Sequence, residues 1–459
     1  MSTFAPCNSG SGPYGDAAVR ARMVDFLGGP PLDHATALFV VGRGLSDGME
    51  TGPLAPGELT ALLDRGFEVS RSLWDRRSLV VDLDMEYVNF DFPGEAYLNP
   101  ERSFGLQRPV VRAVRHLLAE HGIRPLHVLT GRGHHFLWQV DMRSLAFRRL
   151  SRLGRVPDSL HHRYARPHPP GAMAVPFEVG RAFAGLGLVM EHLGHRIRDL
   201  AEPESAIPVE LAELSTNRPA RGRELVVVDL SEYGDGLSLR HVAIPFTRYL
   251  KPYRNRGVVG AHVSRWVPMT WVIPSPDGPE PEALGVMRSE TRVVQLARSA
   301  RTEIPDQASG MADLVASYEA SPLARAHDLF YSAEHDPPTQ WHRTYDRTSL
   351  ESLPPCARRI LERPNDLLLR PGGILKVVRA LLDLGWHPRH IAGLVRSKYE
   401  RDHGWGFRWF RDDASARADY YVRLFFGMIA LGRSPRDELH CPAGLAPEEC
   451  RSAGCGPPA

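Results

Sequence analysis

Apolar and polar positions change rhythm several times along this chain, and each rhythm predicts an element. Residues 37–41 form a short apolar run typical of a strand, while 59–74 carry apolar side chains at helical spacing. Residues 78–88, SLVVDLDMEYV, read as a strand. Residues 108–121 read as an amphipathic helix closed by Gly122, with Pro125 beyond it. HVLTGRGHHFLWQV holds two apolar runs around a Gly-Arg-Gly turn, which predicts strand, turn, strand. Residues 155–175 are rich in Pro and His and read as loop. A long helix is expected at 177–200 and a buried strand at 224–230, ELVVVDL. Strands alternating with helices over 20–255 predict one α/β or α+β domain. Beyond PSPDGPEPEAL (274–284) the pattern is mixed and partly helical. From Leu353 onward, 374–384, 388–401 and 414–431 are helical with almost no strand signal between them. The expected organisation is a disordered tail at 1–16, a domain at 17–270, a connecting region at 271–345 and a helical domain at 346–459.

Composition narrows the class. A chain of 459 residues with 43% hydrophobic and 24% charged residues suits a soluble protein of two or three domains. No run approaches 18 apolar residues, and the Gly/Ser/Pro-rich start lacks the apolar core of a secretory signal. The expectation is a cytoplasmic protein without membrane partners. Of 56 basic residues only Lys251, Lys376 and Lys398 are lysines, so an arginine beside a motif is weak evidence here. A net charge of +2 gives no global argument for nucleic-acid binding; any such surface must be local. Five cysteines are too few for a disulfide framework. Cys441, Cys450 and Cys455 fall in the last 19 residues, with Cys356 upstream and Cys7 in the tail. In a reducing compartment that late cluster reads first as a metal site.

Asp82 and Asp84 lie two apart in a strand, so both point to one face, roughly 6.5–7 Å apart along the chain. Joined by a third acid, such a pair makes a cradle for two Mg²⁺ or Mn²⁺ ions, whose hard character suits oxygen ligands. Asp229, in VVVDLS, supplies that third acid. The plainer alternative makes Asp82, Asp84 and Glu86 the solvated face of an amphipathic strand. Leu79, Val80 and Val81 weigh against it, because they make the strand look buried on both faces. The turn Thr130-Gly131-Arg132-Gly133-His134-His135 offers backbone amides, a hydroxyl, a guanidinium and an imidazole to a phosphate. It is not a P-loop, since no Lys-Ser/Thr follows and the next element is a strand. An ordinary hairpin turn is the alternative. Gly42 to Gly48 reads as a loop, and His161, His162 and His168 as surface residues.

In order, LVVDLDMEY, LTGRGHHFLW and LVVVDLS resemble the motifs of the archaeo-eukaryotic primase superfamily over about residues 35–255. Asp82 and Asp84 match its Asp-x-Asp/Glu strand. Thr130, Arg132 and His135 match its SGRGxH motif, with Thr in place of Ser, and Asp229 matches its later acid. The resemblance implies an α+β fold: a primase-type catalytic domain, with an RRM-like sheet and an adjoining αβ unit, followed by a mainly helical domain. It implies that Asp82, Asp84 and Asp229 hold catalytic Mg²⁺ or Mn²⁺, and that Thr130, Arg132 and His135 bind nucleotide. The activity implied is template-dependent nucleotidyl transfer on single-stranded DNA, with nucleoside triphosphates as substrates and replication proteins as possible partners.

Leu353-Pro354-Pro355-Cys356 resembles the segment holding the first cluster cysteine of the large primase subunit. Cys356, Cys441, Cys450 and Cys455 would then ligate a [4Fe–4S] cluster; zinc, or no metal at all, stays open. Residues 370–408 interleave Arg370, Lys376, Arg379, Arg389, Arg396, Lys398, Arg401 and Arg408 with Trp386, Tyr399, Trp405 and Trp409. That pattern suits a single-strand-binding surface or, equally, a helical core with an arginine-rich solvated face. Two rival functions use the same residues: a metal-dependent nuclease or phosphodiesterase, and a non-catalytic nucleic-acid-binding accessory protein.

Overall fold

The twelve-residue strand Ser78–Asn89 is the spine of the protein. The computed structural model describes residues 12–45, 50–156, 158–165, 174–214, 223–237, 241–276, 280–362, 370–401 and 413–433, with Pro364 and Leu368. In chain order the strands are β1 (Val40–Arg43), β2 (Glu68–Ser72), β3 (Ser78–Asn89), β4 (Leu126–Leu129), β5 (Gly133–Asp141), β6 (Val209–Glu210), β7 (Glu224–Asp229), β8 (His241–Ala243) and β9 (Ile273–Pro274). They form a six-stranded sheet of order β6-β7-β3-β5-β4-β9 and a three-stranded sheet of order β1-β2-β8. All neighbours are antiparallel except β6 with β7.

The two faces of β3 enter different surroundings, as a period of two requires. Leu79, Val81, Leu83, Met85 and Tyr87 are buried in a helical layer that includes the helices Pro100–Glu120, Leu145–Leu153 and Phe177–Ala201. Val80, on the other face, joins a second core with Leu137 of β5 and with Val40, Val69 and Val242 of the small sheet. That second core ends after Val80, and Asp82, Asp84 and Glu86 occupy the next positions of the same face. The acids therefore sit where one covering layer stops.

The helical core continues from Phe177–Ala201 into the helices Ala308–Glu319, Pro322–Phe330, Pro371–Asp383, Pro388–Tyr399 and Ala414–Ala430. The last three match the expected C-terminal helices. The fold is α+β. Among the described residues no helix is long and apolar enough to cross a membrane.

Three expectations are corrected. The helix expected over 59–74 stops at Asp64; after Gly66, at φ +70°, the chain becomes β2, hydrogen-bonded between β1 and β8. Tertiary pairing overrides the helical spacing there. The helix expected from residue 108 begins at Pro100 and carries Pro109 inside it. Within the expected loop 155–175, Asp158–Tyr164 is helical, with the His161 ring tilted against that of Phe177 at a centroid distance of 4.1 Å. His161 and His162 are exposed, as expected, while His168 lies outside the described residues.

Candidate active site

Antiparallel register assembles the site from three separate stretches of sequence. Asp84 on β3 faces His135 on β5 to one side and Asp229 on β7 to the other. Directly opposed residues of antiparallel strands share a face at Cα separations of about 5 Å. The row Asp229–Asp84–His135 is thus a consequence of strand pairing, and Asp82 and Glu86 flank it along β3.

Each member is fixed by local structure. Arg102, from the helix Pro100–Glu120, makes a two-pronged contact with Glu224 at 2.6 and 3.0 Å and anchors the start of β7. At the end of β7, the Asp229 carboxylate accepts the Ser231 amide at 2.8 Å. In the same turn the Tyr233 hydroxyl donates to the Asp82 carbonyl at 2.7 Å. The hairpin β4–β5 must pass close to β3: a Cβ on Gly133 would lie 2.2 Å from the Met85 carbonyl oxygen. A Cβ on Gly131 would meet the Tyr249 ring at 2.4 Å. Close packing, not a left-handed backbone, calls for both glycines.

The side chains pair across the site. His135 donates Nδ1–H to both oxygens of Asp82 at 3.0 Å, and its Nε2 lies 3.6 Å from Asp84. Burial alone would lower the imidazolium pKa, but the carboxylates of Asp82 and Asp84 outweigh it and raise His135 to about 10. Asp84 moves the other way from an ordinary carboxylate. Burial, although a quarter of its side chain reaches solvent, and the charges of Glu86, Asp82 and Asp229 raise it to about 7 against the pull of His135. Two such charges about 5 Å apart repel by roughly 3 kcal/mol at an effective dielectric near 20, enough to retain a proton. Burial opposes ionisation of Glu86 too, yet Arg132, bonded to it, and Lys251, 3.5 Å away, hold it below the carboxylate range.

Among the described residues no three His, Cys, Asp or Glu side chains are arranged to hold a metal ion. The reason is visible in the contacts: the His135 cation lies against Asp82 and Asp84, and Asp229 is turned to a backbone amide. The donor chemistry nonetheless fits a hard divalent cation. Three carboxylates share one face, and the positive charge now set against two of them is the His135 imidazolium.

The structure brings together Asp82, Asp84, Asp229, Arg132 and His135. Thr130 is in the turn, but its hydroxyl donates to the Gly133 carbonyl at 3.3 Å and it is buried. His134 points away into the interior, stacked on His127 and edge-on to Phe104. Sequence reasoning missed Lys251, Tyr249 and Tyr97 beside Arg132, and Glu213, whose carboxyl is coupled to Glu86, Arg132, Asp229 and Lys251. None belongs to a motif; only the acid on β3's alternating face, Glu86, carried a signal. Cys356 lies half-buried in the first turn of the helix Pro355–Glu362, while Cys441, Cys450 and Cys455 lie outside the described residues. In the basic and aromatic stretch 370–408, Arg389 is buried on Asp419, Arg401 pairs with Asp346, and Tyr399 is buried. For these residues the helical-core alternative holds; Trp405, Arg408 and Trp409 lie outside the described residues.

Compared with known proteins, the chain matches no family model, no curated protein and no solved structure.

Proposed function

We propose that this protein is a primase-polymerase: a nucleotidyltransferase that joins nucleoside triphosphates on single-stranded DNA. The row Asp229–Asp84–His135, with Asp82 beside it, is the observation that carries the reading. Three motifs far apart in sequence meet on one face, in the arrangement the primase resemblance requires. A largely antiparallel sheet with helices packed on one face also suits a primase-type catalytic domain.

In this reading Asp82, Asp84 and Asp229 would hold Mg²⁺ or Mn²⁺, which would supply charge stabilisation for an attacking 3′-hydroxyl and a departing pyrophosphate. The protein's own groups bind and orient. His135, released from Asp82, donates a hydrogen bond to a phosphate oxygen. Arg132 and Lys251, paired with Glu86 in this structure, offer two further positive charges at the same edge. Asp84, raised to about 7, would have to be ionised to serve as a ligand to such a cation. Cys356, Cys441, Cys450 and Cys455 are the proposed ligands of a [4Fe–4S] cluster, and elemental analysis of anaerobically purified protein decides between iron, zinc and neither.

The test is synthesis on single-stranded DNA with labelled nucleotides, Mg²⁺ or Mn²⁺ and no primer. The Asp82→Ala/Asp84→Ala protein runs alongside. Product from the unaltered protein and at least a thousand-fold less from the variant is expected. Shortened template in place of product would make the site a nuclease. Equal synthesis by both proteins would remove the carboxylates from the mechanism.

A further inference from the structure

Residues 236–276 pass without a single Asp or Glu, in a chain that carries 54 of them. The same 41 residues hold Arg240, Arg248, Lys251, Arg254, Arg256 and Arg265. Part of this stretch folds as the short helices Lys251–Arg254 and Arg256–Val259 and the turn Val263–Arg265. It departs directly from the candidate active site, because Lys251 lies 3.5 Å from Glu86.

Two further observations mark this surface. The three most exposed large apolar side chains among the described residues are Trp266, Val258 and Phe92, at 72, 67 and 61%. They come from segments that touch: Gly94, two residues after Phe92, backs so closely onto this stretch that a Cβ would lie 2.8 Å from Val263 and 3.4 Å from Val259. Arg256 and Arg265 are exposed beside them, and neither forms an ion pair among the described residues. Elsewhere in the chain arginine is routinely paired with acid, as Arg401 is with Asp346. Here cations without acids adjoin aromatic faces without cover.

We propose that Phe92, Val258, Trp266, Arg256 and Arg265 form the surface on which a single-stranded polynucleotide docks as it enters the site. The inference rests on the nucleotidyltransferase reading for its destination, though not for the binding itself. Exposed indole and phenyl faces take unpaired bases by stacking, without regard to sequence. Unpaired guanidinium groups neutralise the phosphates between those bases. A duplex hides its base faces, so the aromatic part of this surface selects a single strand.

The experiment is fluorescence anisotropy of a labelled oligothymidylate against the full chain, without divalent metal, with a duplex of equal length as the comparison. Trp266→Ala should weaken single-strand binding by roughly tenfold or more, given what one base stack contributes. Arg256→Gln/Arg265→Gln should weaken it and reduce the slope of log affinity against log salt by about 1.4, two phosphates' worth for a single strand. Since both alterations are on exposed side chains, melting temperatures should not change. Normal binding by the Trp266 and arginine variants, absence of binding by the unaltered protein, or equal affinity for the duplex would each overturn the proposal. Binding through Trp266 without any synthesis would preserve this surface and sink the polymerase reading. Synthesis accompanied by normal Trp266→Ala binding would do the reverse.

Discussion

Two groups of charged side chains are buried or half-buried in this protein, and they are built on opposite principles. At the seam between Phe177–Ala201 and the C-terminal helices, Glu191 accepts the Arg423 Nε–H at 2.9 Å and lies 3.0 Å from His327. Nearby, Arg389 pairs with Asp419 at 2.7 Å. Two acids meet two guanidinium groups, and burial keeps His327 below its ordinary pKa. Charge closes. On the face shared by β3 and β7, the cations set against Asp82, Asp84, Glu86 and Asp229 among the described residues are His135, Arg132 and Lys251. The deficit falls on Asp84, which burial and its neighbours raise to about 7, whereas Arg423 and His327 overcome burial to hold Glu191 at about 2. A balanced cluster holds a fold together, and one short of positive charge would, on the function proposed above, be prepared for a cation from outside.

Stability separates the two most sharply. Glu191→Ala would leave Arg423 buried without its partner and should cost about 3–5 kcal/mol, the usual loss when half of a buried pair is removed. Asp84→Asn removes a charge that its surroundings disfavour, so it should be neutral or slightly stabilising while abolishing synthesis. Urea denaturation of both variants beside the unaltered protein measures this. A loss of stability in Asp84→Asn equal to that in Glu191→Ala would erase the distinction.

Divalent metal sharpens the contrast by a smaller amount. If the β3 carboxylates accept Mn²⁺, the ion at a hundred times its dissociation constant should stabilise the chain by about 2.7 kcal/mol. Asp82→Ala/Asp84→Ala should lose that gain, and Glu191→Ala should keep it from a lower baseline. Thermal melting in graded Mn²⁺ checks this, and an equal response from the carboxylate double variant would place the ion elsewhere.

The site was more legible than its surroundings for a physical reason. Asp82, Asp84 and Asp229 stand in apolar runs where a carboxylate is out of place, and a period of two already puts the first pair on one face. The hairpin around Gly131 and Gly133 carried its own turn signal. Lys251, Tyr249 and Glu213 reach the site only through long-range packing, which leaves no trace in local sequence. Strand β2 was hidden because Glu68 and Arg71, buried by tertiary contacts with Leu250 and Asp75, read as the polar face of a helix. The arginines at 389–401 left two readings equally open, since composition cannot tell a buried pair from a phosphate clamp.

The smallest effect is also the one in which the two regions pull against each other. On the seam, burial lowers His195 to about 3 and both His192 and His335 to about 4. Their unfolded values lie near 6.5, so below that pH the unfolded chain binds more protons and stability falls. Each should cost about 1 kcal/mol between pH 7.5 and 5.5. His135 has the reverse sign. Its pKa is raised, so its contribution is fully present below about 6.5 and is lost as pH climbs towards 10. Denaturation midpoints should therefore drop on the acid side because of the seam and on the alkaline side because of the site. His192→Gln/His195→Leu should flatten the acid limb, and His135→Gln should flatten the alkaline limb. If His135→Gln leaves the alkaline limb unchanged, its imidazole is neutral in the folded chain, and the positive charge set against Asp82 and Asp84 has been misassigned.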